Sequence, residues 1–193
     1  GLGDVYKRQE CDYAISFMKG DIPYPECHLR MPCWMNNGPV RRTGKIEQYS
    51  KDRKSLLSRH TRFCSFVYSN GNAPERIHFL RLLSRYKHVD CGGMVMNNMG
   101  SCVRDKIAFC SSCKFTIAFE NYPAAGYVTE KLFDSLAALS LPIYWGAPDA
   151  GMEANPSRFV NAADFSTPEA LAEYVIRLDQ DEDLYLSYMD GPV

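Results

Sequence analysis

Apolar residues gather into two long runs, Phe63-Cys-Ser-Phe-Val-Tyr-Ser69 and Lys114-Phe-Thr-Ile-Ala-Phe119. The second is apolar at nearly every position, the pattern of a strand covered on both faces. Shorter runs follow at Pro142-Ile-Tyr-Trp145 and Phe159-Val-Asn161, and a short strand is expected near 88–91. Between the runs the apolar period lengthens. Residues 75–86 set Ile77, Leu80, Leu83 and Tyr86 on one helical face, and Thr129–Leu139 does the same with Leu132, Phe133, Leu136 and Leu139. Further helices are expected over 104–113, 167–178 and 181–189. Asn70-Gly-Asn-Ala-Pro74 and Gly146-Ala-Pro148 punctuate the pattern as turns. Strands alternating with helices predict an α/β domain with a parallel sheet and right-handed crossovers.

Upstream of Phe63 the texture is different. Residues 11–17 suggest a short strand, and 18–27, with Gly20, Pro23 and Pro25, a loop. Residues 35–62 are polar and basic and are expected to form a linker, with a helical piece near 51–59. Residues 4–9, Asp-Val-Tyr-Lys-Arg-Gln, match the direct translation of a transposon end used in sequencing libraries. Residues 1–9 are therefore set aside as an assembly scar. A chain that opens on Gly1 and stops at Asp190-Gly-Pro-Val193, just after a helical pattern, is expected to be a piece of a longer protein, truncated at its C-terminus.

Charge and cysteine content narrow the chemistry. Twenty-two basic against 23 acidic residues leave a net charge of −1, which disfavours a broadly basic nucleic-acid binder. No apolar run approaches the ~18 residues of a membrane-spanning helix. Of eight cysteines, only Cys110-Ser-Ser-Cys113 has metal or redox spacing, and no second pair completes a zinc site. The cysteines are expected to be small buried hydrophobes, and no metal is expected. Their lack of disulfide-like pairing points to a bacterial, cytoplasmic protein, with peripheral membrane association through segments outside this chain; a eukaryotic source would imply the Golgi membrane.

Open parallel sheets bind ligands beyond the carboxyl ends of their strands. Two such ends are rich in polar groups. Ser69, Asn70 and Arg76 follow the run 63–69, and Glu120, Asn121, Tyr127, Glu130 and Lys131 follow the run 114–119. Thr129 can cap the next helix, leaving Glu130 and Lys131 in its first turn. A helix N-terminus carries free N–H groups and partial positive charge, so a lysine there costs about 0.3–1 kcal/mol unless an anion offsets it. Either a phosphorylated ligand does so or Glu130 or Glu120 pairs with the lysine. The chain has no Gly-x-Gly-x-x-Gly, no Gly-x-x-x-x-Gly-Lys-Ser/Thr and no Gly-x-Ser-x-Gly, which disfavours a dehydrogenase, a P-loop NTPase and an α/β-hydrolase.

Phe119-Glu120-Asn121, a short spacer, then Tyr127-Val128-Thr129-Glu130-Lys131 resembles the signature of the α1,3/α1,4-fucosyltransferases, glycosyltransferase family 10. Flanking segments agree in order. They are Ser69-Asn-Gly-Asn-Ala-Pro-Glu-Arg76, Gly92-Gly93 through Asn97-Asn-Met-Gly100, Pro142-Ile-Tyr-Trp-Gly-Ala-Pro148, Phe159-Val-Asn161, Asp12-Tyr-Ala-Ile15 and Leu29-Arg-Met-Pro32. The resemblance implies a GT-B architecture. Residues 63–193 would be its Rossmann-like C-terminal domain for the donor GDP-fucose, and 10–34 a remnant of an acceptor domain that is largely missing. It implies inverting transfer of L-fucose to a hydroxyl of an acceptor glycan, typically N-acetylglucosamine of a lactosamine-type unit. By position, Arg76 and Lys131 would hold the diphosphate. Tyr127, Asn121 and Glu130 would contact nucleotide and fucose, with Ser69 and Asn70 in the first donor loop. Glu130 is also a candidate contact to the transition state. No cofactor is implied, because fixed cations would do the work of a divalent ion. The family's general base, an acceptor-domain glutamate, would precede Asp12. Glu10 stands too close to match it, so this chain alone is expected to be inactive. A non-catalytic nucleotide-sugar binding module and a different GT-B glycosyltransferase are the alternatives.

Overall fold

The computed structural model describes residues 13–19, 25–37 and 53–190. The suggested scar and most of the proposed linker lie outside these residues. The larger part is a parallel five-stranded sheet built from β3 (Arg62–Phe66), β4 (Val89–Cys91), β5 (Cys113–Phe119), β6 (Leu141–Trp145) and β7 (Val160–Asn161), in the order β4-β3-β5-β6-β7. Cys64 pairs with Val89 on one side and Phe115 on the other, and Ile117 with Ile143. The helices are α1 (Arg53–Arg59), α2 (Pro74–Leu83), α3 (Lys106–Cys110), α4 (Glu130–Ala137), α5 (Pro168–Gln180) and α6 (Glu182–Met189). The crossover through α2 runs from β3 outward to β4, and that through α4 runs the opposite way, from β5 to β6. With right-handed crossovers the two helices must cover opposite faces. Accordingly α2 packs against α5, and α3 against α4. The chain reverses direction across the sheet between β3 and β5, and this is the crevice where an open α/β sheet binds its ligand.

Burial explains why β5 reads as a continuous apolar run. Phe115, Ile117, Ala118 and Phe119 are all buried, between Phe66, Phe79, Leu83, Leu132 and Leu136. The polar members of the central strands satisfy one another. Ser65 Oγ lies 2.8 Å from Thr116 Oγ1, which lies 2.8 Å from Ser140 Oγ, so neither strand leaves a hydroxyl orphaned in the core.

Several sequence-based boundaries shift. The sheet strand β3 ends at Phe66 rather than Ser69. Tyr68 still reaches the neighbouring strand through its side chain, donating from its hydroxyl to Ile117 O (2.7 Å) and accepting from Phe119 N (2.8 Å). The helix expected over 75–86 spans 74–83, and its inward face is Arg76, Phe79, Leu80 and Leu83; Ile77 is only partly buried. The periodicity alone had placed Ile77 inward because a buried arginine on an apolar face contributes no apolar signal. The helix expected over 104–113 is confined to 106–110. Cys113 instead opens β5, so the two spaced cysteines stand on different elements, both free and buried. Burial pushes the Cys113 thiol up to about 12, and Cys110 accepts a hydrogen bond from Ser65 Oγ.

The upstream segment carries a pair of parallel strands, β1 (Ala14–Ser16) and β2 (His28–Arg30), with Ala14 opposite His28 and Ser16 opposite Arg30. The second strand, just after the loop expected over 18–27, was not among the expected elements. Three residues are too short a run for a period-2 pattern to stand out.

Candidate functional site

The site forms at the carboxyl ends of β3 and β5, at the switch point of the sheet. Arg76, in the first turn of α2, crosses it from beneath. Its Nη2 donates to Phe119 O, Glu120 O and Asn121 Oδ1, each at 2.9 Å, and its Nη1 to Asn70 O at 3.2 Å. The guanidinium lies 3.8 Å from the centre of the Tyr68 ring. Arg76 is thus 1% exposed, and every hydrogen-bond acceptor it meets is neutral. Its Nε has no hydrogen-bond partner among the described residues. Burial pulls its pKa below the ordinary value. Buried charges are normally paired, because desolvating an unpaired one is costly. This cation, held beside strand ends without a carboxylate partner, is the feature that asks for an anion.

Lys131 is built differently. Thr129 caps α4, its hydroxyl accepting from Lys131 N, and both Thr129 N (2.8 Å) and Thr129 Oγ1 (3.0 Å) donate to Glu120 Oε1. Lys131 Nζ lies 3.1 Å from Glu120 Oε2 and 3.6 Å from Glu130 Oε1. The Glu120 side chain has no exposed surface, and burial raises its carboxyl above the usual range despite Lys131 and Thr129. Of the two explanations for a lysine in this first turn, the structure shows the pairing, with Glu120 and with Glu130. Gly146 makes room for it. A Cβ there would stand 2.5 Å from Glu120 Cγ and 2.9 Å from the Tyr144 hydroxyl.

The remaining expected residues fall around these two cations. Asn121 touches Arg76 directly. Tyr127 stacks on Tyr122 with ring centres 4.4 Å apart, and burial pushes its hydroxyl up to about 12. Glu130 faces Lys131. Asn70 receives Arg76 through its backbone, whereas its side chain and Ser69 are exposed at the rim. The sequence named Gly146-Ala-Pro148 as a turn but assigned no place in the site to Tyr68, to Gly146 or to the loop after β6. Gly146 acts by the room it leaves and Tyr68 through backbone groups of β5 and the Arg76 guanidinium, neither of which shows as a motif. A cavity of about 220 Å³ opens between the first turns of α2 and α5, against Phe119 and Trp145, but none of the expected site residues lines it. Among the described residues no three His, Cys, Asp or Glu side chains gather as metal ligands.

Comparison with known proteins decides the family. Residues 57–190 match Glycosyltransferase family 10 (fucosyltransferase) C-term. The chain belongs to this family. It is 40% identical to the Alpha-(1,3)-fucosyltransferase FucT of Helicobacter pylori, over 92% of this chain and 43% of that protein. It is 32% identical to Glycoprotein 3-alpha-L-fucosyltransferase A of Drosophila melanogaster, over 75% of this chain and 30% of that protein. Among solved structures it superimposes on an alpha1,3-fucosyltransferase with GDP-fucose with a TM-score of 0.78 and 31% identity, covering 94% of this chain and 62% of the other. This chain therefore spans less than half the length of these two relatives. The expected α/β fold and family 10 membership both hold, and the signature Phe119-Glu-Asn and Tyr127-Val-Thr-Glu-Lys131 falls on the switch-point site of this family 10 domain.

Proposed function

We propose that the chain is the donor-binding part of an enzyme that transfers L-fucose from GDP-fucose, with inversion, to a hydroxyl of an acceptor glycan, N-acetylglucosamine of a lactosamine-type unit being the expected acceptor. The observation that carries this reading is the buried Arg76 at the switch point, whose hydrogen bonds all go to neutral oxygens, beside the capped N-terminus of α4 and Lys131. The diphosphate would lie over α4, taken by Lys131 as it leaves Glu120, with the Arg76 charge beneath. Tyr127, Asn121 and Glu130 would surround the nucleotide and the fucose. In the reaction the acceptor oxygen bonds to the anomeric carbon while the bond to the β-phosphate oxygen breaks, and GDP leaves with added negative charge. Positive groups already held at the site stabilise that charge, Arg76 in place and Lys131 once it has exchanged Glu120 for the phosphate.

The acceptor proton must go to a base, worth about 10²- to 10⁴-fold in rate, and the acceptor must be aligned. We assign both tasks to an acceptor domain, of which residues 10–34 are a remnant. The exposed pair Ile15 and Leu29 on the β1–β2 ribbon supports this, since parallel strands are normally covered on both faces. The test is turnover of GDP-fucose with a lactosamine acceptor, by this chain and by a protein with the upstream segment restored. Transfer by the longer protein alone is expected. Turnover by the 193-residue chain that survives Glu10→Ala would place the base within the donor half instead.

A further inference from the structure

A cluster of charges beside this site has no part in the reaction described above. Lys19 Nζ lies 2.8 Å from Asp149 Oδ2 and 2.7 Å from Glu153 Oε1, and Arg30 pairs with the same Glu153 oxygen. The other Glu153 oxygen accepts from Trp34 Nε1 at 3.1 Å, and the Glu153 side chain is 6% exposed. Two cations from the upstream segment thus meet two carboxylates from the loop after β6. The cluster also reaches the loop that precedes α4, where Asp149 Oδ1 accepts the backbone N–H of Gly126 at 2.8 Å. Gly126 has φ +75°, and a Cβ there would stand 2.6 Å from Phe17 O, so this close approach admits only glycine. One residue on, Tyr127 meets the Phe17 ring at 5.3 Å between centres. Trp34 stacks on Phe133 at 4.3 Å, on the helix that carries Lys131.

We propose that Asp149 and Glu153 are positioning residues of the donor site: through Lys19, Arg30 and Trp34 they clamp residues 13–19 and 25–37 against the Gly126–Tyr127 loop and α4, and so fix Tyr127 and Lys131 for the donor. The proposal rests on the donor-site reading above. Burial alone would raise the Asp149 carboxyl, but the Gly126 amide and Lys19 hold it below the usual range, as Lys19, Trp34 and Arg30 do for Glu153. The clamp is therefore charged at neutral pH.

The test compares Asp149→Ala, Asp149→Asn and Glu153→Gln in the full 193-residue chain, by amide hydrogen exchange and by calorimetric titration with GDP. Asp149→Ala removes an acceptor that is charged, so the Gly126 amide should exchange about tenfold faster or more. Asp149→Asn, which keeps an oxygen for Gly126, should restore most of that protection. GDP affinity should fall about fivefold or more in Asp149→Ala and in Glu153→Gln, a typical size for coupling through a packed network. Unchanged exchange at Gly126 in Asp149→Ala would overturn the clamp. Faster exchange with wild-type GDP affinity in both weakened variants would overturn its positioning role. If the wild-type chain itself binds no GDP, the donor-site reading fails and the positioning role with it, whereas the exchange data separately decide whether the clamp exists.

Discussion

The five-stranded sheet and the upstream segment are held by different forces. The sheet region is held by buried aromatic and aliphatic side chains, with Phe66, Phe79, Phe115 and Ile117 between two helical layers. The upstream residues 13–19 and 25–37 show Tyr13, Ile15 and Leu29 to solvent and are attached through contacts that include Lys19, Arg30, one indole N–H and two ring contacts. Apolar burial is non-directional and nearly indifferent to salt. Partly exposed ion pairs are directional, screened and individually weak. The donor site sits between the two. Arg76 belongs to the rigid sheet ends, while Tyr127 and Lys131 share a loop and helix with the electrostatic attachment. The site is therefore expected to be half permanent and half adjustable.

The largest effect expected from breaking this contrast is in the core. Phe115→Ala should cost about 3–5 kcal/mol of unfolding free energy, measured by urea denaturation, because a fully buried ring leaves a cavity between two layers. A loss under about 1 kcal/mol would mean that the sheet is not the stabilising unit.

Next in size is a pH effect inside the sheet region. His60 Nε2 lies 3.0 Å from Leu139 O and Nδ1 3.2 Å from the Tyr185 hydroxyl, and burial lowers its pKa from 6.5 to about 4. The folded protein therefore binds fewer protons than the unfolded chain between these values. The contribution is fully present above pH 6.5 and is lost as pH falls towards 4, by at most about 3 kcal/mol. His60→Gln should flatten that part of the stability-versus-pH curve. An unchanged slope would mean that His60 is open to protonation in the fold.

The smallest effect on global stability belongs to the attachment. Glu153→Ala should change the unfolding free energy by only about 1 kcal/mol, since the cations it releases reach water. The same substitution should make cleavage within 13–37 by a protease much faster, and added salt should do so in the wild type. Equal protection in both proteins would show that apolar contacts hold the segment.

The sequence displayed the sheet region well and the attachment poorly, for a physical reason. A buried strand such as 113–119 writes its environment into consecutive residues, and a helix such as 130–137 writes it at a period of about 3.6. The signature from Phe119 to Lys131 was readable because its chemistry is contiguous in the chain. Glu153 and Lys19 stand far apart in sequence, and nothing in either neighbourhood announces the other. Arg76 was found as a site residue through its place after a strand. Its burial and its neutral hydrogen-bond partners were invisible, because they depend on the carbonyls of Phe119 and Glu120. The pairing of Lys131 with Glu120 was legible only as one of two alternatives.

The most direct test of the donor site is calorimetric titration of GDP into the 193-residue chain and its Lys131→Ala and Arg76→Ala variants. A cation facing a phosphate contributes about 1.5–3 kcal/mol, so Lys131→Ala should bind at least about tenfold more weakly than the wild type, and Arg76→Ala, which removes the charge beneath, should bind more weakly as well. Weakened binding in both variants, with melting of the sheet retained, is the predicted result. Wild-type affinity in both would show that Arg76 and Lys131 serve only the fold and that the diphosphate lies elsewhere.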